Sequence, residues 1–568
     1  MYRLTDDPAY AQMAYDNLRA VYDSPGFGNE NLTSEKGLTR AMMALGFAIS
    51  YDWAAQAWTP EQRAWVKGKL TDGLNSWESF SHPNVRGDFA SNWTAVTRGA
   101  EVVTMLALGE EVARSDRYSQ IKSDLETHIR NGYGQYGYNQ EGNGYLSYGG
   151  SILATAVNAL RSTGDTDLDA AFAAKEFWKL PLYGSVFNAE QESVQYGVGN
   201  VRFNAEGWTS FLFADVPAEQ QGYYKYVYDL ARGVNNPAAD GNKFEDSRAG
   251  TTWSLIYYPT EVAALDPDSS PSAFGPLLAS DDKGGYFFRN RWQDADDTIV
   301  SLIGDYKTAA NAWNQPEALN LGLYAYGDRF IAGPKDRTDA AAFSTLLIDG
   351  KIPAASSTGR REFYQANATG GYVIIDGGEA YEKLGITSTK RHLDVEFNPD
   401  GTTLLSTLDQ LRDESSHAYS WQINVGESLN DGGIRVSTGS EGGLQTFLLT
   451  SADGDYVKGW VLEPSNVTLD AGDPLRITAT GVNTNLWVAM LTGQGQAPTA
   501  SVTGSGLGAV LTVENNRVFY DSVRDRIISE SFGSSSFSPP ASFSTAGSGF
   551  EAGLDGLGLI DSGAGVAF

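Results

Sequence analysis

The hydrophobic positions follow two periods, and the change from one to the other falls near the middle of the chain. Up to about residue 265 the spacing is helical. Val96, Gly99, Val103 and Leu106 fall at i, i+3, i+7 and i+10, a stripe on one helix face. Thr59-Pro60-Glu61-Gln62 carries a capping box, with Gln three residues after Thr and Pro at the first helical position. The pattern predicts helices near 8–22, 36–57, 60–78, 92–108, 114–130, 148–162, 167–178, 218–232 and 250–263. They come in pairs with short Gly-rich or Asn-rich connections. No repeat of fixed period runs through them. An array of antiparallel helix pairs closing into an α/α toroid, an incomplete barrel, is therefore expected over 1–265.

After Asp266-Pro267-Asp268-Ser269-Ser270-Pro271 the period drops to two. Gly285–Arg289, Thr298–Leu302, Leu321–Tyr326, Tyr372–Ile375, Tyr419–Asn424, Tyr456–Leu462, Leu486–Leu491 and Arg517–Tyr520 are short and rich in aromatic or β-branched residues. Gly, Asp and Asn turns separate them. Residues 266–282 read as a linker and 283–530 as a large antiparallel β-sandwich. From Ser531 the text is poor in charge and rich in Gly and Ser, a tail over 531–568. The fold class is multidomain, α then β.

Composition narrows the chemistry. The 568 residues carry 41 basic against 70 acidic side chains, a net charge of −29. Such a surface repels phosphate backbones and anionic lipid, which argues against nucleic-acid and membrane-surface binding. No run of about eighteen apolar residues supports a membrane span. There is no cysteine, so disulfides, thiolate nucleophiles and cysteine-ligated zinc are excluded. Four histidines remain, His82, His128, His392 and His417. His392 reads as a satisfied residue of the strand KRHLDVEF, and the other three as surface or packing residues. Catalysis here would fall to carboxylates, tyrosines, arginines and amides. The segment MYRLTDDPAYAQMAYDNL reads as a helix start and not as a secretory signal.

Three segments resemble the heparinase II/III-like polysaccharide lyases, which join an α/α toroid to an antiparallel β-sandwich. They are GFAISYDWAAQAWTPEQRAWV (46–66); SNWTAVTRGAEVVTMLALG (91–109) with EGNGYLSYGG (141–150); and GYFFRNRWQDADDTIVSLIGDY with NQPEALNLGLYAYGDRFIAGP (285–306, 314–334). The sequence departs from the family at its histidines. Trp93 stands where relatives have His after Asn. Trp313-Asn314-Gln315-Pro316-Glu317 stands where they have a His-x-His-like stretch. The resemblance implies Asn92, Tyr145 and Tyr148 as the catalytic set. Tyr148 is favoured as the acid/base because the family's catalytic tyrosine falls in this Glu-Gly…Tyr…Tyr-Gly turn. Substrate contacts are expected from Trp93, Arg98, Tyr138, Gln140, Glu141, Arg248 (in the family-like loop KFEDSR), Trp313 and Gln315. No cofactor is expected, and no metal, because the usual ligand positions hold Trp313 and Gln315.

The chemistry is consistent with that set. A uronate lyase removes the proton α to the sugar carboxylate and expels the β oxygen. The carboxylate must be neutralised by donors such as the Asn92 amide, with Gln140 or an Arg. A phenol of ordinary pKa about 10 needs a cation nearby to act as base. Arg98, on the same predicted helix as Asn92, is a candidate for that cation. Each residue also has a structural reading: Asn92 as a helix cap, Tyr148 as a core contact, Tyr145 as a stacking ring, and Tyr133, Tyr136 and Tyr138 as loop packing.

Three functions stay open. One is a lyase on an acidic polysaccharide, alginate-like or glycosaminoglycan-like. Another is a glycoside hydrolase pairing Glu141 with Asp88, Glu245 or Asp246. The third is a non-catalytic carbohydrate-binding protein, such as a particle-associated surface protein. The expected location is secreted or extracellular, by a route other than a signal peptide in this sequence.

Overall fold

The computed structural model describes residues 2–24, 37–78, 90–109, 116–197, 202–234, 250–306, 315–333, 343–355, 357–426 and 433–532. Its first part is helical: Pro8–Asp23, Gly37–Ala54, Pro60–Glu78, Asn92–Leu108, Asp116–Gly132, Asn143–Ser162, Gln221–Ala231 and Gly250–Tyr257, with short helices at Asp169–Ala173, Lys179–Gly184 and Trp208–Phe211. The capping box forms as the sequence implies. Thr59 N–H donates to Gln62 Oε1 at 2.8 Å, and Gln62 N–H to Thr59 Oγ1 at 3.2 Å. The Asn92 helix is the hub, buried almost throughout its first thirteen residues and packed on the Gly37, Asp116 and Asn143 helices. Small residues let it approach the Asn143 helix closely. A Cβ on Gly99 would lie 3.0 Å from Ile152 Cγ2, and one on Gly149 3.2 Å from Asn92 Cβ.

Two predicted boundaries are corrected. The helix expected from residue 148 begins at Asn143, after Gly142 with φ 101°. Gly144 and two tyrosines made its first turn look like loop. The sheet region begins inside the expected linker, because Leu277–Ser280 is already a strand. Four residues at an edge are too few to display an alternation.

Three antiparallel sheets follow. The first is a meander of β1 (Leu277–Ser280), β2 (Gly285–Arg289), β3 (Ile299–Ile303), β4 (Asn320–Ala325) and β5 (Asp328–Ile331). The second holds β6 (Leu346–Ile348), β7 (Arg360–Asn367), β8 (Gly370–Asp376), β9 (Ser388–Phe397), β10 (Thr403–Ile423), β11 (Arg435–Glu441), β12 (Leu444–Thr450), β13 (Asp455–Glu463), β14 (Thr468–Asp470) and β15 (Leu475–Gln494). Its order is β11-β12-β13-β15-β10-β9-β8-β7, with β14 on β15 and β6 on β10. The third, β16 (Ala500–Thr503), β17 (Val510–Val513), β18 (Asn516–Asp521) and β19 (Arg526–Ser531), covers the far face of the second.

The layers are legible in the alternation of side chains. Phe287, Ile299 and Ile303 join the helical core, while Tyr286, Phe288, Val300 and Leu302 point the other way, into the second sheet. The first sheet is thus buried on both faces, which is why its strands read as continuous apolar runs. In β10, Leu405 and Leu411 face the first sheet, whereas Leu404 and Leu408 face the third. The core therefore does not stop at the helix–strand boundary. Arg289, fully buried, donates to Ser185 O at 2.6 Å and pairs with Asp297 at 2.5 Å. Trp292 Nε1 donates to Leu182 O at 2.8 Å, binding β2 and its following loop to the helices.

Candidate functional site

Asn92, Glu141 and the tyrosine helix come together where the start of the Asn92 helix meets the first two turns of the Asn143 helix. Asn92 opens one helix behind its cap Ser91. The turn before the other is set by Asn139, whose Oδ1 accepts Glu141 N–H at 2.8 Å and whose carbonyl accepts Gly142 N–H at 3.1 Å. That turn delivers Glu141, fully buried, to Asn92. One oxygen, Oε2, accepts both the Asn92 backbone N–H at 2.7 Å and Nδ2 at 2.8 Å. Tyr145 and Tyr148 follow at i and i+3 on the Asn143 helix, hence on one face, and both are partly exposed. Gly149, beside Tyr148, is the residue that touches Asn92 and Ala95.

Two buried amide atoms here lack a hydrogen-bond partner: Asn92 Oδ1 and Gln140 Nε2, on residues 3 % and 4 % exposed. Unpartnered buried amide atoms suit contact with a polar guest more than an apolar core. Trp93 is partly buried against the helical core.

The segment ending at Gly197 closes this turn from the other side and is itself tied to the strand region. Gly142 and Gly197 form an antiparallel bridge, and Asn143 N–H donates to Tyr196 O at 3.1 Å. A Cβ on Gly197 would lie 2.1 Å from Gly142 Cα, so only glycine permits this approach. Gly197 N–H in turn donates to Glu317 Oε1 at 2.7 Å. Gln315 and Glu317 are both buried. Next along the chain, Gln195 Oε1 accepts Arg329 Nη1 at 2.8 Å and Gln195 N–H donates to Tyr324 Oη at 2.9 Å. Glu317, Gly197 and Arg329 were not foreseen. The one available signal was that Glu317 lies in the stretch that lacks the family's histidines.

Other expectations are corrected. Arg98 faces away from Asn92, because six residues advance a helix by about 240°. It is buried between Asp124 (2.9 Å) and Glu101 (3.0 Å), and Glu101 also holds Arg117. It is not the cation that would depress a tyrosine's pKa. Tyr138 is fully buried, stacked on Tyr196 with centroids 4.9 Å apart and tilted against Phe287. It offers no face to a sugar. Burial, and then the charge of Glu317, push the Tyr138 and Tyr196 phenols far up; burial, and then Glu141, do the same to Tyr133. These three stay protonated. His128, also buried, meets the Tyr133 hydroxyl at 3.2 Å, and His392 meets Tyr372 at 2.6 Å with its pKa lowered by burial. Among the described residues no three His, Asp or Glu side chains converge as a metal site. Trp313, Arg248, His82, Asp88, Glu245 and Asp246 lie outside the described residues.

No family model and no curated protein sequence matches the chain. Solved structures do. A crystal structure of heparinase III aligns with TM-score 0.60 at 11% identity, over 94% of this chain and 81% of the other. The chain has the heparinase III fold. A mutant of heparan sulfate lyase HepC from Pedobacter heparinus aligns with TM-score 0.57 at 13% identity, over 94% and 80% of the two chains. A second heparinase III gives 0.54 at 11% identity, over 94% and 82%. Helices followed by antiparallel sheets, in that order, is the architecture this chain shares with heparinase III.

A groove of about 250 Å³, lined by Trp53, Trp253 and Tyr257 with Asp52, opens at the opposite ends of the same helices. Its nearest residue on the Asn92 helix, Val103, lies three turns from Asn92, about 16 Å along the axis. Within the heparinase III fold it is separate from the Asn92–Tyr148 corner.

Proposed function

We propose that this chain is a polysaccharide lyase that cleaves an acidic, uronate-containing polymer by β-elimination. What supports the reading is the crossing at Gly149, where the second turn of the Asn143 helix, which carries Tyr148, passes close against Asn92. The Asn92 amide, with Gln140 Nε2, donates into the uronate carboxylate as negative charge moves onto it. Tyr148 as phenolate takes the α proton, and the electron pair of that C–H bond becomes the new carbon–carbon double bond. The bond to the glycosidic oxygen breaks, and Tyr148, now a phenol, returns the proton to the departing oxygen. Atoms and charge balance without a cofactor.

The fully buried Glu141, whose carboxylate already accepts two bonds from Asn92, is a poor proton donor to a sugar, which weighs against the hydrolase alternative. The test is a panel of heparan sulfate, hyaluronan, chondroitin, alginate, ulvan and glucuronan. It is read as the ultraviolet absorbance of an unsaturated uronate end. Heparan sulfate comes first, because proteins of the same fold are named for it. Reducing ends released without that absorbance would favour hydrolysis. Binding with neither product would favour a non-catalytic carbohydrate-binding protein. An extracellular location is part of the same proposal, since such polymers lie outside cells.

A further inference from the structure

We propose that Glu141 is a positioning residue for this reaction, acting through Asn92; the role rests on the lyase reading above. An amide side chain can turn by 180° with almost no steric change, exchanging its donor and acceptor ends. A carboxylate accepts and never donates, so it selects one of the two orientations. Glu141 Oε2 takes Asn92 Nδ2 at 2.8 Å and so dictates that Oδ1 points elsewhere, where it stands without a partner. The same oxygen takes the Asn92 backbone N–H at 2.7 Å, which fixes the first turn of the helix as well as the side chain. A negative charge facing the start of a seventeen-residue helix is also favoured by the helix dipole.

Glu141 cannot drift to follow a substrate. Its own N–H is held by Asn139 Oδ1 at 2.8 Å. The next residue, Gly142, is bridged to Gly197, whose N–H is held by Glu317 at 2.7 Å. The clamp therefore runs from the sandwich, through the turn, to the amide. One Nδ2 proton is committed to Glu141, and the other is the one left to meet a uronate carboxylate. Without the clamp the amide samples both orientations, and one of them aims a carbonyl at an anion. That loss falls on the transition state, where the carboxylate gathers charge, and so on kcat more than on KM.

The experiment uses the full chain and the polymer that yields the unsaturated product. Glu141→Gln keeps the shape, but its own amide can turn either end toward Asn92. It should fold, lower kcat about tenfold or more and leave KM within about twofold. In an Asn92→Ala background the same substitution should change kcat by less than about twofold, because there is nothing left to position. Equal losses of kcat in both backgrounds, or an unchanged kcat in Glu141→Gln alone, would overturn the proposal.

A second arm needs no turnover. Asn92→Asp sets two carboxylates face to face and should lower Tm, and adding Glu141→Gln, which supplies a donor, should recover at least half of the loss. No recovery would overturn the contact itself and the proposal with it. Recovery in a protein that makes no unsaturated product from any polymer would leave the contact standing. It would overturn both the lyase reading and the positioning role built on it.

Discussion

Tyr145 and Tyr148 stand one turn apart on a single helix face, and removing one oxygen at a time separates their roles. Tyr148→Phe leaves the ring that packs on the helical core. It should keep Tm and lower kcat by about a hundredfold or more, within the usual range for a lost acid/base group. Tyr145→Phe should act mainly on KM. If the two results are reversed in steady-state kinetics, the acid/base is Tyr145. Arg98→Met belongs to stability instead. It takes the ion-pair partner from Asp124, while Glu101 keeps Arg117; losing one partner of a buried pair costs about 3–5 kcal/mol, readable by urea unfolding. The resemblance carried by SNWT and EGNGYLSYGG made Asn92, Glu141 and the tyrosines conspicuous. The sequence misled on Arg98 and Tyr138, whose neighbours lie on other elements: Asp124 on the Asp116 helix, and Tyr196 and Phe287 far along the chain.

Elements meet here through glycines, so glycine substitutions report on alignment. Gly149→Ala pushes a methyl to 3.2 Å from Asn92 Cβ, tight enough that a helix must give by a few tenths of an ångström. It should lower kcat more than Gly99→Ala, whose methyl meets Ile152 Cγ2 at 3.0 Å and Ile152 O at 3.2 Å, about two turns deeper and away from Asn92. Gly197→Ala is harsher, since φ is +62° and the added carbon meets Gly142 backbone. Loss of the bridge should cost at least about 1–3 kcal/mol and abolish turnover, checked by unfolding and kinetics on the same sample. Periodicity alone announced the long helices and about half of the strands, among them β2, β3, β4, β8, β13 and β18. It was silent on β1, on the true start of the Asn143 helix, and on the stacking of a third sheet. Each of these depends on short segments or on contacts between distant ones. The Gly197–Glu317 bond, 120 residues apart, has no local sequence signature.

At the scale of the whole chain, a net charge of −29 opposes an anionic polymer. Salt shortens the screening length from about 10 Å at 0.1 M to about 3 Å at 1 M. KM for the polymer should therefore fall as salt rises; a KM that climbs instead would mean that local basic groups dominate the cleft. Acidity acts elsewhere. Burial pushes Asp394, which caps Ser529 N–H in β19, up to about 7. The unfolded chain releases that proton near pH 4, the folded one near 7, so the native state holds more protons in between. Stability from this group should decline from about pH 4 to 7, and Asp394→Asn should flatten the slope in pH-dependent unfolding.

Among the described residues the strand pairing with the most partners joins β10 to β15, with Leu404 opposite Leu491, 87 positions later. Helical contacts are mostly near neighbours and form early, whereas this pairing must wait for a long loop to close. During synthesis the helices would thus be assembled well before residue 494 emerges, and they would display Tyr138 and Tyr196 to solvent until Phe287 and its sheet settle over them. That lid is a meander of near neighbours; once it is down, its outer face, with Tyr286, Phe288, Val300 and Leu302, waits for the second sheet, and until that closes the nascent chain is open to chaperones and to its own neighbours.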